Sequence, residues 1–131
     1  MKNTFLFAIL WMMLVSLPIY SQVGDSQKLI TCISKGDIST LSKYFEPGIE
    51  ISILGKGDIL SKQQAESALS DFFSGKSVSS CKISHQGNNG NVSFCIITLT
   101  MSNREEYRVY VLTKKVGEQP RIQQFRIDYV D

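Results

Sequence analysis

Histidine is nearly absent from this chain, which has one, His85, among 131 residues. Cysteine is also scarce, and Cys32, Cys81 and Cys95 are spread far apart. Zinc sites need closely spaced cysteine and histidine ligands, so this distribution predicts no metal, and no motif for another cofactor is present. Three cysteines permit at most one intramolecular disulfide.

Runs of like charge are also missing. The formal net charge is +2, and Lys114 and Lys115 are the one adjacent pair of basic residues. A nucleic-acid-binding domain normally concentrates Lys and Arg on one face or helix. The scattered charge therefore excludes a nucleic-acid partner.

Long apolar runs are absent after residue 17. The run at residues 5–17 follows Lys2 and is broken by Pro18, and the small Ser21 precedes a polar residue. This layout predicts a signal peptide over residues 1–21. A retained membrane anchor is the alternative, but the run is shorter than the ~20 residues that span a bilayer. We expect export to the periplasm or outside the cell, no stable membrane insertion, and one domain over residues 22–131.

Helical periodicity dominates the first half of that domain. The spacing predicts one helix over residues 24–34, and a second, capped by Asp37, that carries Ile38, Leu41 and Phe45 and ends at Pro47. A short strand follows at residues 49–55, and Gly55 and Gly57 turn it into a second strand, DIL, at residues 58–60. Ser61 and Gln64 form a capping-box pattern before a helix whose apolar residues share one face: Ala65, Ala68, Leu69, Phe72 and Phe73.

Period-two alternation dominates the second half, over residues 78–86, 91–101, 105–115 and 121–130. Short turns join these strands, so they should run antiparallel. The predicted order is ααββαββββ. It indicates an α+β fold in which one antiparallel sheet is covered by helices.

The segment KISHQGNNGNVSF, residues 82–94, has two interpretations. A phosphate-binding loop would need a helix after the glycines, with a basic or hydroxyl residue following. A strand, NVSFCIITLT, follows instead. Glycine and asparagine tolerate the positive φ of tight turns, so the segment predicts a hairpin.

Four segments carry a family resemblance: SKQQAESALSDFF, SHQG, YRVYVLTKK and RIQQFRID. With the element order, they resemble the nuclear transport factor 2-like superfamily and, within it, the exported bacterial domain of unknown function 4783. The resemblance implies a strongly curved, cystatin-like sheet wrapped around helices to form a cone with a pocket. That family has no established activity, so the resemblance assigns no catalytic residue.

Four residues are candidates for lining such a pocket: His85, Phe73, Tyr107 and Phe125. His85 shares strand parity with Ile83, which would point its ring into the cone near the mouth. It is the one catalytic candidate, because only histidine titrates near neutral pH unaided. The alternative is a packing histidine at a strand end.

Cys81 and Cys95 flank the GNNGN turn almost symmetrically. If the hairpin placed them opposite one another on one face, they could form a disulfide. A shift of one residue in register would separate their faces. The alternative is that all three cysteines are small buried apolar side chains.

Both faces of the strand at residues 105–115 are partly apolar, since Tyr110 and Leu112 alternate with Tyr107, Val109 and Val111. A sheet that is apolar on both sides must be covered on both. A second copy could cover the outer face, or the stems of neighbouring long basic side chains could shield it.

Three functional hypotheses follow. The first is an exported non-catalytic domain that binds a small apolar ligand or a protein partner in the cone. The second is an acid–base enzyme of isomerase or dehydratase type that uses His85 with a tyrosine as hydrogen-bond donor. The third is a structural module that dimerises through the outer sheet face.

Overall fold

Three helices, one 3-10 turn and six strands lie between residues 24 and 130, the part of the chain that the computed structural model describes. The elements are α1 (Gly24–Lys35), α2 (Ile38–Leu41), the 3-10 turn (Ser42–Tyr44), β1 (Phe45–Ile53), β2 (Lys56–Leu60), α3 (Lys62–Phe73), β3 (Val78–Asn89), β4 (Val92–Met101), β5 (Glu106–Val116) and β6 (Gln119–Tyr129). No helix in this range is long and apolar enough to cross a membrane. The predicted signal peptide, residues 1–21, lies outside the described residues.

The six strands form one sheet in the order β2-β1-β6-β5-β4-β3. Neighbours are antiparallel except β1 and β6, which are parallel. Irregularities in register interrupt β1–β6, β3–β4 and β5–β6 pairing. Bulges of this kind bend strands and increase twist, which lets the sheet wrap around the helices. The α+β prediction is confirmed.

The core lies between the helices and the inner face of the sheet, the face that carries its alternate buried residues. The sheet contributes Ile97, Leu99, Val109, Val111, Phe125 and Ile127, and the helices contribute Leu29, Ile33, Leu41, Ala65, Leu69, Phe72 and Phe73. All of these side chains are at most 9% exposed. Their burial supplies most of the free energy of folding, at roughly 25 cal/mol per Å² of apolar surface removed from water.

The capping predictions are confirmed. The Ser61 hydroxyl accepts from the Gln64 amide at 3.2 Å, and the Gln64 side chain accepts from the Ser61 amide at 3.1 Å. Asp37 accepts from the Thr40 amide at 3.2 Å at the start of α2. Each bond satisfies a backbone donor that the first helical turn leaves unpaired.

The second helix is shorter than predicted. It ends at Leu41, and Phe45 begins β1 instead of lying on the helix. Phe45 is still fully buried, because it pairs with Ile122 on the inner face. Pro47 lies in β1 where the β1–β6 register is irregular and before the pairing with β2 begins at Ile49. A proline is tolerated there because no ladder hydrogen bond needs its missing N–H.

The hairpin prediction for residues 82–94 is confirmed. Asn89 pairs with Val92, which leaves a two-residue turn at Gly90 and Asn91. Gly90 has a φ of 63°, a conformation that glycine adopts without steric cost. β3 continues through Gly87, which the sequence had suggested as part of the turn.

Candidate functional site

His85 lies on the outer face of the sheet, opposite to the prediction. Ile83 pairs with Ile97, but His85 pairs with Ile96, so Ser84 is an extra residue in β3. Paired residues share a face, and Ile97 is buried on the inner face while Ile96 points outward. This bulge reverses the parity that sequence spacing implies, and His85 is exposed.

The other three predicted pocket residues lie inside the core. Phe73, Tyr107 and Phe125 are 7%, 3% and 0% exposed. Tyr107 packs edge-on against Phe72, with ring centroids 5.1 Å apart. The predicted set therefore divides between the two faces of the sheet, and His85 does not join the others.

Tyr107 is the tyrosine whose ionisation the fold perturbs most clearly among the described residues. Its hydroxyl donates a 2.5 Å hydrogen bond to Glu105 Oε2. This bond, with burial, raises the pKa of Tyr107 to about 12. Tyr107 belongs to the inner face and His85 to the outer face, so the fold does not bring these two candidates together.

Cys81 and Cys95 both lie on the inner face, but they are not opposite one another. Cys81 pairs with Leu99, and Cys95 pairs with Gln86. The predicted opposition of Cys81 and Cys95 is wrong, because β3 extends to Asn89, beyond the predicted start of the turn, and contains the extra residue Ser84. Both are free thiols in the structure, as is Cys32. Burial, and to a smaller extent the charge of the Cys95 thiolate, raises the pKa of Cys81 to about 11.

A continuous apolar patch occupies the outer face across β4 and β5. We call it the outer patch, and it consists of five residues: Val92, Phe94, Ile96, Tyr110 and Leu112. Phe94 pairs with Leu112 and Ile96 with Tyr110, so the residues form two adjacent rows. The Phe94 and Tyr110 rings are stacked, 6.4 Å apart and inclined by 21°. Val92 and Phe94 remain 37% and 38% exposed.

Gly87 allows the aromatic part of the outer patch to lie flat on the sheet. Gly87 pairs with Phe94, and a Cβ atom at Gly87 would lie 2.3 Å from Phe94 Cε1. Any larger residue would displace the ring. Sequence reasoning assigned Gly87 to the turn and missed this role, although the apolar outer residues of β4 and β5 did indicate the patch.

Charged residues surround the outer patch. Arg126 Nη2 lies 3.6 Å from Asp128 Oδ2, in a shallow depression of about 300 Å³ that Arg108, Tyr110 and Ile96 also line. Farther along β5, Glu106 and Lys114 are exposed at opposite ends of the strand. The patch is therefore an apolar centre with a charged rim, the composition typical of protein interfaces.

A second depression lies on the helical side of the molecule. It measures about 470 Å³ and is lined by Gln27, Lys28, Thr31, Cys32, Lys35, Asp37, Thr40 and Tyr44. The carboxylate of Asp37 already caps α2, and both lysines are exposed. None of the predicted site residues lines it.

Comparison with known proteins shows that the chain matches one protein family. The family model described as domain of unknown function (DUF4783) matches residues 26–128. A DUF4783 family protein from Bacteroides ovatus is 35% identical with a TM-score of 0.72, and the match covers 79% of this chain and 93% of that one. No curated protein matches the chain.

More distant structures show the fold alone. A nuclear transport factor 2-like (NTF2-like) protein from Cytophaga hutchinsonii is 12% identical with a TM-score of 0.63, over 87% of this chain and 100% of that one. A domain of unknown function with a cystatin-like fold from Nostoc punctiforme is 8% identical with a TM-score of 0.65, over 81% and 73%. The predicted NTF2-like and cystatin-like fold is confirmed.

Proposed function

The chain belongs to the DUF4783 family and has an NTF2-like fold, and from this premise we propose that it is an exported, non-catalytic domain that associates with a second copy of itself through the outer patch. That family is one of unknown function. The proposal therefore depends on the residues of this chain.

The observation that carries the proposal is the contiguity of exposed apolar surface on the outer face. Single exposed apolar residues are normal on any protein, but a continuous patch is a feature of interaction sites. Between residues 24 and 130, the helices pack on the inner face, and no element covers the outer patch. Covering it would remove partly exposed aromatic and aliphatic side chains from water.

The packing of the outer patch also supports binding. The Phe94 ring is held between Gly87 beneath it and Tyr110 beside it. Ordered aromatic side chains lose little conformational entropy on association, and aromatic residues are enriched among those that dominate binding energy.

A small apolar ligand inside the cone stays a prediction. Phe73, Tyr107 and Phe125 contact other core side chains, so they offer no open surface to a ligand. Ile83, on the inner face, is 36% exposed, which is the observation that favours a ligand near the β3 edge. The outer patch is the stronger candidate because it has both an apolar centre and a charged rim.

Sedimentation equilibrium tests the proposed association. We expect reversible dimerisation of the exported protein, and Phe94→Glu should weaken it by at least about ten-fold because it replaces an aromatic side chain of the outer patch with a carboxylate that loses its hydration at the contact. Ile59→Glu is the matched control, since Ile59 is 70% exposed on β2 outside the patch. A wild-type protein that stays monomeric at all concentrations, or a dimer that Phe94→Glu leaves unchanged, would contradict the proposal.

A further inference from the structure

We propose that the two copies meet with their β5 strands antiparallel across a two-fold axis at Tyr110, so that Glu106 of each copy pairs with Lys114 of the other. This arrangement rests on the proposed association through the outer patch. It adds the orientation of the partner and the residues that select it.

The outward residues of β5 carry opposite charges at equal distances from Tyr110. In order they are Glu106, Arg108, Tyr110, Leu112 and Lys114. Glu106 lies four residues before Tyr110 and Lys114 four residues after it, which is about 13 Å on each side at the rise of a β-strand. A two-fold axis that passes between the two Tyr110 residues, lies in the contact plane and is perpendicular to β5 therefore brings Glu106 of each copy to Lys114 of the other.

Neither end residue has a charge partner within residues 24–130. The one ion pair in that range joins Arg126 and Asp128. Lys114 pairs across the strands with Arg121, and like charges in directly opposed positions are destabilising. A carboxylate from a second copy would relieve this repulsion. Glu106 pairs with Thr100, so its own sheet neighbour offers no positive charge.

Symmetry restricts the alternatives, because a two-fold contact must be complementary to itself. If the axis lay in the contact plane and parallel to β5, Glu106 would face Glu106 of the other copy, and Lys114 would face Lys114 of the other copy. It would also place β4 over β6 of the other copy, with Ile96 facing Arg126. Both consequences are unfavourable.

The perpendicular axis gives better contacts in the central row of Ile96 and Tyr110. Beside that row, Leu112 faces the aliphatic stem of Arg108, and Phe94 faces Thr98. It places β4 over β4 and β5 over β5 of the other copy, so Ile96 faces Ile96 and Tyr110 faces Tyr110. Arg126 then faces Arg126 of the other copy, but its guanidinium already lies 3.6 Å from Asp128 of the same chain. Sheets packed face to face lie about 10 Å apart, a separation that long Glu and Lys side chains can bridge.

Charge reversal tests this orientation. We expect Glu106→Lys and Lys114→Glu each to raise the dissociation constant of the dimer by about ten-fold, because each creates two like-charge pairs in the symmetric contact. The double variant Glu106→Lys/Lys114→Glu should return to within about three-fold of wild type, because it restores both pairs with their signs exchanged. Each value is measured by sedimentation equilibrium at low and high salt.

Matched controls separate this effect from a change in net charge. Asp71→Lys and Lys43→Glu reverse exposed charges on the helical side and should leave the dissociation constant unchanged. The single reversals at Glu106 and Lys114 should lose their effect at high salt, since exposed ion pairs are screened.

The outcomes distinguish the two proposals. A wild-type dimer that dissociates in Phe94→Glu but is unaffected by either reversal would overturn the antiparallel arrangement and leave association through the outer patch supported. Single reversals that weaken the dimer with no recovery in the double variant would also overturn it. A monomeric wild-type protein would overturn the association itself.

Discussion

The ring of Phe94 lies directly against the backbone of Gly87 on the neighbouring strand. A Cβ atom at Gly87 would be 2.3 Å from Phe94 Cε1 and 2.8 Å from Cζ. The same ring is stacked against Tyr110 on its other side. A glycine that sequence analysis assigned to a turn therefore determines the shape of an exposed surface.

Gly87→Ala should weaken association more than it destabilises the fold. The ring can rotate towards solvent, so we expect the free energy of unfolding to change by less than about 1 kcal/mol, partly offset by the better strand propensity of alanine. The stack with Tyr110 is lost, and the dissociation constant should rise several-fold. Urea unfolding and sedimentation equilibrium measure the two effects.

Gly57→Ala is the matched control for this substitution. Gly57 is exposed on β2, and a Cβ atom there would have its nearest neighbours at 3.6 Å, an ordinary contact. Association should be unchanged. Equal weakening by both variants would contradict the role assigned to Gly87.

Phe73→Ala should destabilise the fold strongly. Phe73 is 7% exposed, and its ring contacts Phe72 edge-on at 5.2 Å in the layer between α3 and the sheet. Truncating a buried phenylalanine costs about 3–5 kcal/mol, because apolar contact is lost and a cavity is left. Urea denaturation of wild type and variant measures the difference. A change below about 1 kcal/mol would show that α3 does not pack as described.

Ionisation of Tyr107 should make stability depend on alkaline pH. The folded-state pKa of about 12 lies above the ordinary value of 10.0, so folding favours the neutral phenol. This contribution is fully present below pH 10 and is lost as the pH rises from 10 to 12. Tyr107→Phe should show a smaller decrease in the free energy of unfolding over that interval.

Glu105→Gln tests the cause of the Tyr107 shift. The hydrogen bond to the Glu105 carboxylate is the largest contribution to the raised pKa of Tyr107. Removing the charge should move the pKa of Tyr107 back towards its ordinary value, as followed by the ultraviolet absorbance of the phenolate. An unchanged titration curve would assign the shift to burial instead.

The cysteines should be recovered as free thiols. Cys81 pairs with Leu99 and Cys95 with Gln86, so the two are displaced along the hairpin, and both lie free in the structure. The raised pKa of Cys81, about 11, should make its alkylation slow at neutral pH in the folded protein. Mass spectrometry after alkylation under denaturing conditions should count three modified thiols. Modification of only one would indicate a disulfide.

The sequence predicted the features that depend on local patterns. Ser61 and Gln64 fix the start of α3, and alternation of apolar residues defines β4 to β6, because both signals act over a few residues. The placement of His85 could not be predicted, since one extra residue in β3 reverses every later side chain in that strand. The prediction that Phe45 lies on a helix was wrong for a different reason: an apolar residue at its position suits the helix face and the inner sheet face equally well.

The candidate site was predicted only in outline. Apolar residues on both faces of β4 and β5 indicated an outer patch, but the contact between Gly87 and Phe94 depends on the register across the hairpin. Such register is set by the whole sheet and by its turns. Phe73, Tyr107 and Phe125 lie in the core because the inward-facing positions that they occupy are filled by packing.

Site-directed cross-linking tests the central claim most directly. With Tyr110→Cys, the two-fold axis places the new thiols of two copies opposite one another, at a distance that a short bis-maleimide reagent can span between sheets about 10 Å apart. We predict rapid formation of a covalent dimer, with peptide mapping that joins residue 110 to residue 110. Ile59→Cys, on β2 outside the outer patch, should cross-link far more slowly. Equal rates for the two variants, or a Tyr110→Cys protein that stays monomeric, would contradict association through the outer patch.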